Sequence, residues 1–179
     1  MNKTSKGALA AVAGAVLLLG GAGSLAYWSD SANVAGGAVT SGKLTLTDTT
    51  SGTCASAAWT IDAAESPAGV AFNPATDTLV PGDVITKHCT YTIGAVGTHL
   101  RATVAASGGA ASGALAPALT TSGAFTVAGS PVTSITSANN GNTLDATISV
   151  TFNPASDNTT QVQTATLSSF VVTLAQVHG

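Results

Sequence analysis

The sequence predicts an all-β protein, an antiparallel two-sheet sandwich of jelly-roll-like architecture that follows an N-terminal signal helix. Three observations lead to this prediction. Apolar and polar residues alternate with a period of two along many short segments, stretches rich in Gly, Ser, Ala and Pro separate those segments, and helical periodicity is hard to find. About eight to ten short strands without alternating helices favour antiparallel sheets over a parallel one.

The N-terminus has the three parts of a secretory signal peptide. Lys3 and Lys6 provide a positive start, and residues 7–23 contain only Ala, Val, Leu and Gly. Ser24 and Ala26 follow as the small residues that signal peptidases require at positions −3 and −1. This order of charge, apolar stretch and small residues predicts cleavage after Ala26.

Cleavage at this point makes residues 1–26 a signal peptide and Tyr27 the first residue of the mature chain. The alternative is a retained membrane anchor, because residues 7–26 are long enough to cross a bilayer. Ala and Gly contribute little to membrane insertion, and no cluster of Lys or Arg follows the apolar run. We therefore expect a secreted or cell-surface protein that meets the membrane only through its uncleaved signal.

Charged residues are scarce along the whole chain. Five Lys or Arg and eight Asp or Glu residues make up 7% of the sequence, against about 25% in an average globular protein. So few basic residues cannot form the positive surface that nucleic acids require, which excludes that class of partner. Three His, two Cys and no G-x-S-x-G or H-E-x-x-H motif predict a protein that is not an enzyme and holds no metal or cofactor.

The two cysteines, Cys54 and Cys89, are expected to form a disulfide, because an even pair outside the cytoplasm favours one. Two unrelated buried thiols are the alternative. The wide spacing and the lack of a C-x-x-C motif disfavour a zinc or redox site. On the chain-entropy model, a disulfide closing a loop of this length stabilises the fold by about 4 kcal/mol.

The clearest strand is predicted at residues 144–152, where apolar residues at even positions alternate with Asp, Thr and Ser. A second apolar face runs from Ile85 to Ile93, with Lys87 as its one dissonant member. The other strands are expected at residues 44–46, 59–61, 70–72, 100–106, 125–127, 132–135 and 170–174.

The mature N-terminus, residues 27–47, is predicted to be a donor strand ahead of a β-sandwich domain at residues 48–179. Its few apolar residues are enough for pairing in a sheet but anchor the segment poorly. Adding it to the open sheet of a neighbouring copy would pair the backbone groups of both copies. The residues expected to mediate this self-association are Tyr27, Val34, Val39, Leu44 and Leu46.

Several segments resemble the TasA/camelysin family. They are G-S-L-A-Y-W-S-D at residues 23–30, Asn33, S-G-K-L-T-L at residues 41–46, L-V-P-G-D at residues 79–83, and the final strand at residues 170–176. The resemblance implies a signal peptide cut by a SipW-type signal peptidase and a jelly-roll domain. It also implies a subunit of extracellular biofilm-matrix fibres that is assembled by N-terminal donor strands into a homopolymer.

Two alternatives to a fibre subunit stay open. The first is a monomeric surface β-sandwich for adhesion or ligand binding. Separately, Asp77, Asp145 and Asp157 lie at expected strand or turn positions, where weak calcium binding stays open. The second is a secreted metalloprotease, because camelysins have also been described as such enzymes. The sequence lacks a zinc-protease signature, so we do not transfer the protease activity. It departs from the family in being shorter and much less charged and in carrying a Cys54/Cys89 pair that the family generally lacks.

We predict that the exported protein begins at Tyr27. Intact-mass measurement of protein collected outside the cell should give the mass of residues 27–179, because the signal is removed during export. A mass that includes Met1 would contradict cleavage and favour the membrane anchor.

Overall fold

A computed structural model describes residues 29–63 and 66–178, which are predominantly β-structure. Three short 3-10 turns, at Ala116–Ala118, Ser137–Asn139 and Asn158–Thr160, are the helical elements of this part of the chain. The strands are β1 (Lys43–Asp48), β2 (Trp59–Ala63), β3 (Ser66–Phe72), β4 (Val84–Val96), β5 (Arg101–Gly108), β6 (Ala111–Ser112), β7 (Leu119–Val127), β8 (Ser130–Pro131), β9 (Ser134–Thr136), β10 (Thr143–Phe152), β11 (Thr166–Leu167) and β12 (Phe170–Gln176). The predicted all-β class is confirmed, whereas the predicted signal helix lies outside the described residues.

The strands form one large sheet and two smaller ones, and every pairing between them is antiparallel. The large sheet has seven strands in the order β3-β2-β4-β10-β7-β8, and β1 also pairs with β4. The small sheet has the order β12-β5-β9, and β6 and β11 form a separate two-stranded sheet. Because β4 has 13 residues, β2 pairs with its first part and β1 with its last part.

Alternating burial along β10 confirms the clearest of the predicted strands. Leu144, Ala146, Ile148, Val150 and Phe152 are all buried, and the residues between them are exposed or half-buried. Since successive side chains of a strand point to opposite faces, this strand places one face on the core and the other towards solvent.

The core consists of two clusters on the inner face of the large sheet. In the first, residues of the large sheet such as Ile93 and Leu144 pack with residues of the small sheet such as Val104 and Ile135, which makes the two sheets a sandwich. The two sheets approach closely beside this cluster, because a Cβ atom at Gly123 of β7 would stand 2.9 Å from that of Ala106 of β5. The second cluster has three buried members, which are Phe72, Ile85 and Val150.

The predicted disulfide between Cys54 and Cys89 is confirmed, with 5.1 Å between the two Cα atoms. Cys89 is buried on the inner face of β4, and Cys54 lies in the loop between β1 and β2. Asp48 at the end of β1 holds the same loop, because its carboxylate accepts hydrogen bonds from the backbone N–H groups of Thr50 (2.9 Å) and Cys54 (2.8 Å).

Lys87 occupies the inner face of β4 together with Ile85 and Cys89, as the alternation of the sequence indicated. Its ammonium group reaches the edge of the core, where it donates a hydrogen bond to the carbonyl of Ala55 (3.2 Å) and lies 5.1 Å from the centre of the Trp59 ring. Burial lowers the pKa of Lys87. A long aliphatic stem and a cation–π contact thus allow a charged residue at an apolar position.

The largest difference between prediction and structure is the length of β7. The sequence predicts a strand at residues 125–127, but β7 begins at Leu119 and pairs with β10 along its whole length. Its first part consists of small and hydroxyl residues that carry little strand signal. The hydrogen bonds to β10 stabilise a strand conformation that these residues do not favour by themselves.

We predict that replacing both Cys54 and Cys89 by Ser lowers the free energy of unfolding by about 4 kcal/mol, because the unfolded chain gains conformational freedom. For a chain of this size, this corresponds to a decrease in melting temperature of roughly 10 °C. Calorimetry with and without reductant provides the test. Reductant should destabilise the natural protein and leave the double variant unchanged, and an equal melting temperature for both proteins would contradict the prediction.

Candidate assembly site

The leading segment, which we define as residues 29–42, has no regular secondary structure, and every residue in it is exposed. Val34 and Val39, two of the predicted association residues, are 94% and 96% exposed. Tyr27, the third, lies outside the described residues, as do the cleavage-site residues Ser24 and Ala26. Apolar side chains in this segment are therefore accessible to a partner.

Leu44 and Leu46, the other two predicted association residues, belong to β1 and not to an unpaired segment. They pair with Ala95 and Ile93 of β4 in the same chain, and both pack against the first core cluster. Leu44 and Leu46 thus form an apolar face of β1 that packs on the core of the same chain. This finding corrects the prediction for residues 43–47, which pair within the chain's own sheet.

The last strand, β12, has a free edge. Among the described strands it pairs only with β5, so the small sheet ends at β12 on this side. Natural proteins protect such edges with short strands, Lys, Pro or bulges, because unpaired backbone groups recruit other strands. β12 has seven residues, F-V-V-T-L-A-Q, with no charged residue and no proline.

The hydrogen-bond register identifies the backbone groups at this free edge. In an antiparallel pair, alternate residues exchange hydrogen bonds with the partner strand, and the residues between them point the other way. The N–H of Gly109 bonds the carbonyl of Ser169 (3.1 Å), and the N–H of Val177 bonds that of Arg101 (2.9 Å). The odd-numbered positions therefore face β5. The residues whose N–H and C=O groups point to the free edge are Phe170, Val172, Leu174 and Gln176.

Four of the other edge strands are better protected, and the part of β7 before Phe125 is a shorter edge that β8 does not cover. β3 contains Pro67 and a glycine with positive φ, Gly69, which interrupt a regular edge. β8 is only two residues long and ends at Pro131, and β9 has three residues. β1 carries Lys43 and Asp48 at its two ends. The longest edge without such protection is that of β12.

Side chains beside this edge are apolar on both faces of the small sheet. Val172 and Leu174 are half-buried against the first core cluster, and Phe170 contacts the second. On the outer face, Val171 is 50% exposed. A strand added at this edge would thus cover apolar surface as well as pair with the backbone.

The ionisable residues named in the sequence are dispersed. Across residues 29–63 and 66–178, no group of three or more His, Cys, Asp or Glu residues could hold a metal ion. Asp77 accepts a hydrogen bond from the N–H of Asn73 (2.8 Å), and Asp157 accepts one from the N–H of Thr159 (2.9 Å). Both carboxylates thus hold their own turns, as Asp commonly does. Asp145 is exposed on the outer face of β10.

No described helix has the length and apolar character needed to cross a membrane.

Comparison with protein-family models, curated proteins and solved structures finds no match to this chain in any of the three. Membership of the TasA/camelysin family therefore stays a prediction from the short segments quoted above. The function has to be argued from the geometry of the chain itself.

The sequence predicted the final strand but not its position at an edge. Phe170–Gln176 shows the apolar alternation of a half-buried strand, and that alternation is compatible with a central or an edge position. The absence of charged residues and proline from β12 does not distinguish the two positions, because natural edge strands usually carry such residues. The neighbours of a strand are determined by tertiary pairing, which the period-two pattern does not encode.

We predict that the free energy of unfolding falls as the pH decreases below about 4, the usual pKa of an unfolded Asp. The backbone N–H of Cys54, together with Thr50, holds the pKa of Asp48 below its usual value, and Thr159 does the same for Asp157. A lowered folded-state pKa means that ionisation stabilises the fold. This stabilisation is complete above the unfolded pKa and is lost as the pH falls through the folded one.

Urea denaturation between pH 2 and pH 7 tests this pH dependence. Asp48→Asn and Asp157→Asn should each flatten the acid limb of the stability curve. Asp145→Asn, on the outer face of β10, is the matched control. An identical acid limb in all three variants would show that these two carboxylates do not cause it.

Proposed function

We propose that this protein is an exported structural subunit that assembles into extracellular or cell-surface fibres of the biofilm-matrix type. In this proposal, residues 27–42 of one copy add as a strand to the free edge of β12 in the next copy. The observation that carries it is the presence, in one chain, of an exposed leading segment without secondary structure and a long unprotected strand edge.

Strand addition is chemically complete at this edge. Four residues of β12 point both an N–H and a C=O group away from β5, and these are the groups with which an added extended peptide would pair. Each backbone hydrogen bond contributes about 1 kcal/mol net. The apolar side chains on both faces of β12 add the burial that makes such an interface stable.

The composition of the leading segment is compatible with one buried face. In an extended chain Ala32, Val34 and Ala38 point to one side, whereas Val39 points to the other. Placing Val34 on the inner side of the small sheet would bring it next to Val172 and Leu174. Residues 27–42, sixteen in number, would span up to roughly 55 Å when extended, which is more than β12 needs and enough to reach a neighbouring copy.

The proposed interface is heterologous, since the donor segment and the acceptor edge are different surfaces of the same chain. Such interfaces repeat indefinitely unless the rotation between copies closes a ring. An open, head-to-tail filament is thus the expected product. Export and removal of residues 1–26 by a SipW-type peptidase would release the donor segment outside the cell, which confines polymerisation to that location.

We predict that the mature chain forms filaments and that deletion of residues 27–42 abolishes them. Electron microscopy and size-exclusion chromatography of both proteins at matched concentration provide the test. The deletion ends before Lys43, so β1 and its pairing with β4 are retained and the truncated domain should keep its melting temperature. A mature chain that stays monomeric at high concentration would contradict the fibre function and favour the monomeric ligand-binding alternative.

We further predict that Gln176→Pro slows filament growth, because proline removes an N–H that points to the free edge of β12. The same change removes no hydrogen bond to β5, so folding should be retained. Gln176→Ala keeps the N–H and is the matched control. Seeded elongation rates provide the measurement, and equal rates for the two variants would place the acceptor elsewhere.

A further inference from the structure

The second core cluster is open to solvent through a cavity of about 770 Å³. Its floor is apolar and includes the buried residues Phe72, Ile85 and Val150. Leu79 and Leu119 are half-buried at its sides. The volume lies within the range of small-molecule sites, about 300–1,000 Å³, and such sites combine an apolar lining with a few polar groups.

The loop that follows β10 forms one wall of the cavity and exposes an apolar side chain there. Val162 lines the cavity and is fully exposed to solvent. Its φ of 57° is a conformation that β-branched residues rarely adopt. A ligand that fills the cavity would cover this side chain, whereas most of the other lining residues of this loop are polar.

The rim of the cavity carries negative charge only. Asp77 and Asp157 line it, and none of the described lining residues is Lys, Arg or His. In each case part of the carboxylate is used by the chain. Asp77 binds the N–H of Asn73 and the hydroxyl of Thr76 (3.1 Å), and Asp157 binds the N–H and the hydroxyl of Thr159 through its Oδ1 atom. An ionised carboxylate accepts about four hydrogen bonds, so both retain capacity for a ligand.

Two short turns of similar sequence precede these carboxylates in the chain. The side-chain carbonyl of Asn73 accepts the N–H of Ala75 (3.0 Å), and that of Asn153 accepts the N–H of Ala155 (2.9 Å). Each Asn belongs to an Asn-Pro-Ala sequence that follows an inward-facing Phe at the end of a strand. Both acids are therefore positioned by local hydrogen bonds and not by the ligand.

We propose that this cavity binds a small cationic amphiphile, with its apolar part on the Phe72, Ile85 and Val150 floor and its ammonium group beside Asp77 and Asp157. The negative rim excludes anions of the same shape. Phe170 at the start of β12 packs against the same cluster but does not line the cavity, and the proposal does not depend on the assembly proposed above.

Isothermal titration calorimetry of the mature chain provides the test, with octyltrimethylammonium and octyl sulfate as probes of equal tail length, each used below its micelle concentration. The cation should bind saturably and at least about tenfold more tightly than the anion. Asp77→Asn combined with Asp157→Asn should weaken cation binding by about tenfold, because two exposed charge pairs are removed. Asn retains the side-chain oxygen that holds each turn. Asp145→Asn, on the outer face of β10, is the matched control.

Circular dichroism establishes that each variant is folded, and the two single variants replace the double variant if it is not. The affinity for the cation should also fall with added salt in the natural protein. The proposal is overturned if the cation shows no saturable binding, if both probes bind equally, or if Asp145→Asn weakens binding as much as the rim variants do.

Discussion

The pairing of β4 with β10 is the interaction on which the rest of the domain depends. These two long strands lie side by side at the centre of the large sheet, and every other strand of that sheet except β3 and β8 pairs directly with one of them. Their inward residues supply members of both core clusters. Because the chain has few large apolar residues, the domain relies on regular alternation in these two strands to concentrate them on one face.

The scarcity of charge has a different consequence on each part of the surface. The outer face of the large sheet presents mainly hydroxyl groups, which are well solvated and form local bonds such as that between Thr60 and Thr86 (2.8 Å). At the edge of β12, the same scarcity removes the usual protection against strand addition. In the proposed assembly, the same composition would favour association at this edge.

The sequence predicted local structure where the side chains themselves encode it. The apolar alternation predicted the bounds of β10 to within one residue. An even pair of cysteines after a predicted signal peptide led to the disulfide between Cys54 and Cys89. The first part of β7 was missed, because Thr, Ser and Gly form a strand there only through the partner β10.

The candidate sites were predicted less completely, because they depend on which strands become neighbours. Leu44 and Leu46 have the pattern of a strand, and that pattern fits a strand added to another copy as well as one paired with β4. Only the three-dimensional pairing distinguishes the two. The cavity beside Val150 likewise arises from loops far apart in sequence, so no local motif indicates it.

The position of the disulfide has a mechanical consequence for a filament of the proposed kind. Tension would enter each subunit at Lys43, directly after the donor segment, and leave it through β12. Cys54 lies shortly after β1, and its bond to Cys89 carries the force straight into the centre of β4. The chain between these two cysteines, including β2 and β3, is thereby bypassed and cannot be drawn out. Each subunit would lengthen less under load than its number of residues suggests, giving a stiffer thread.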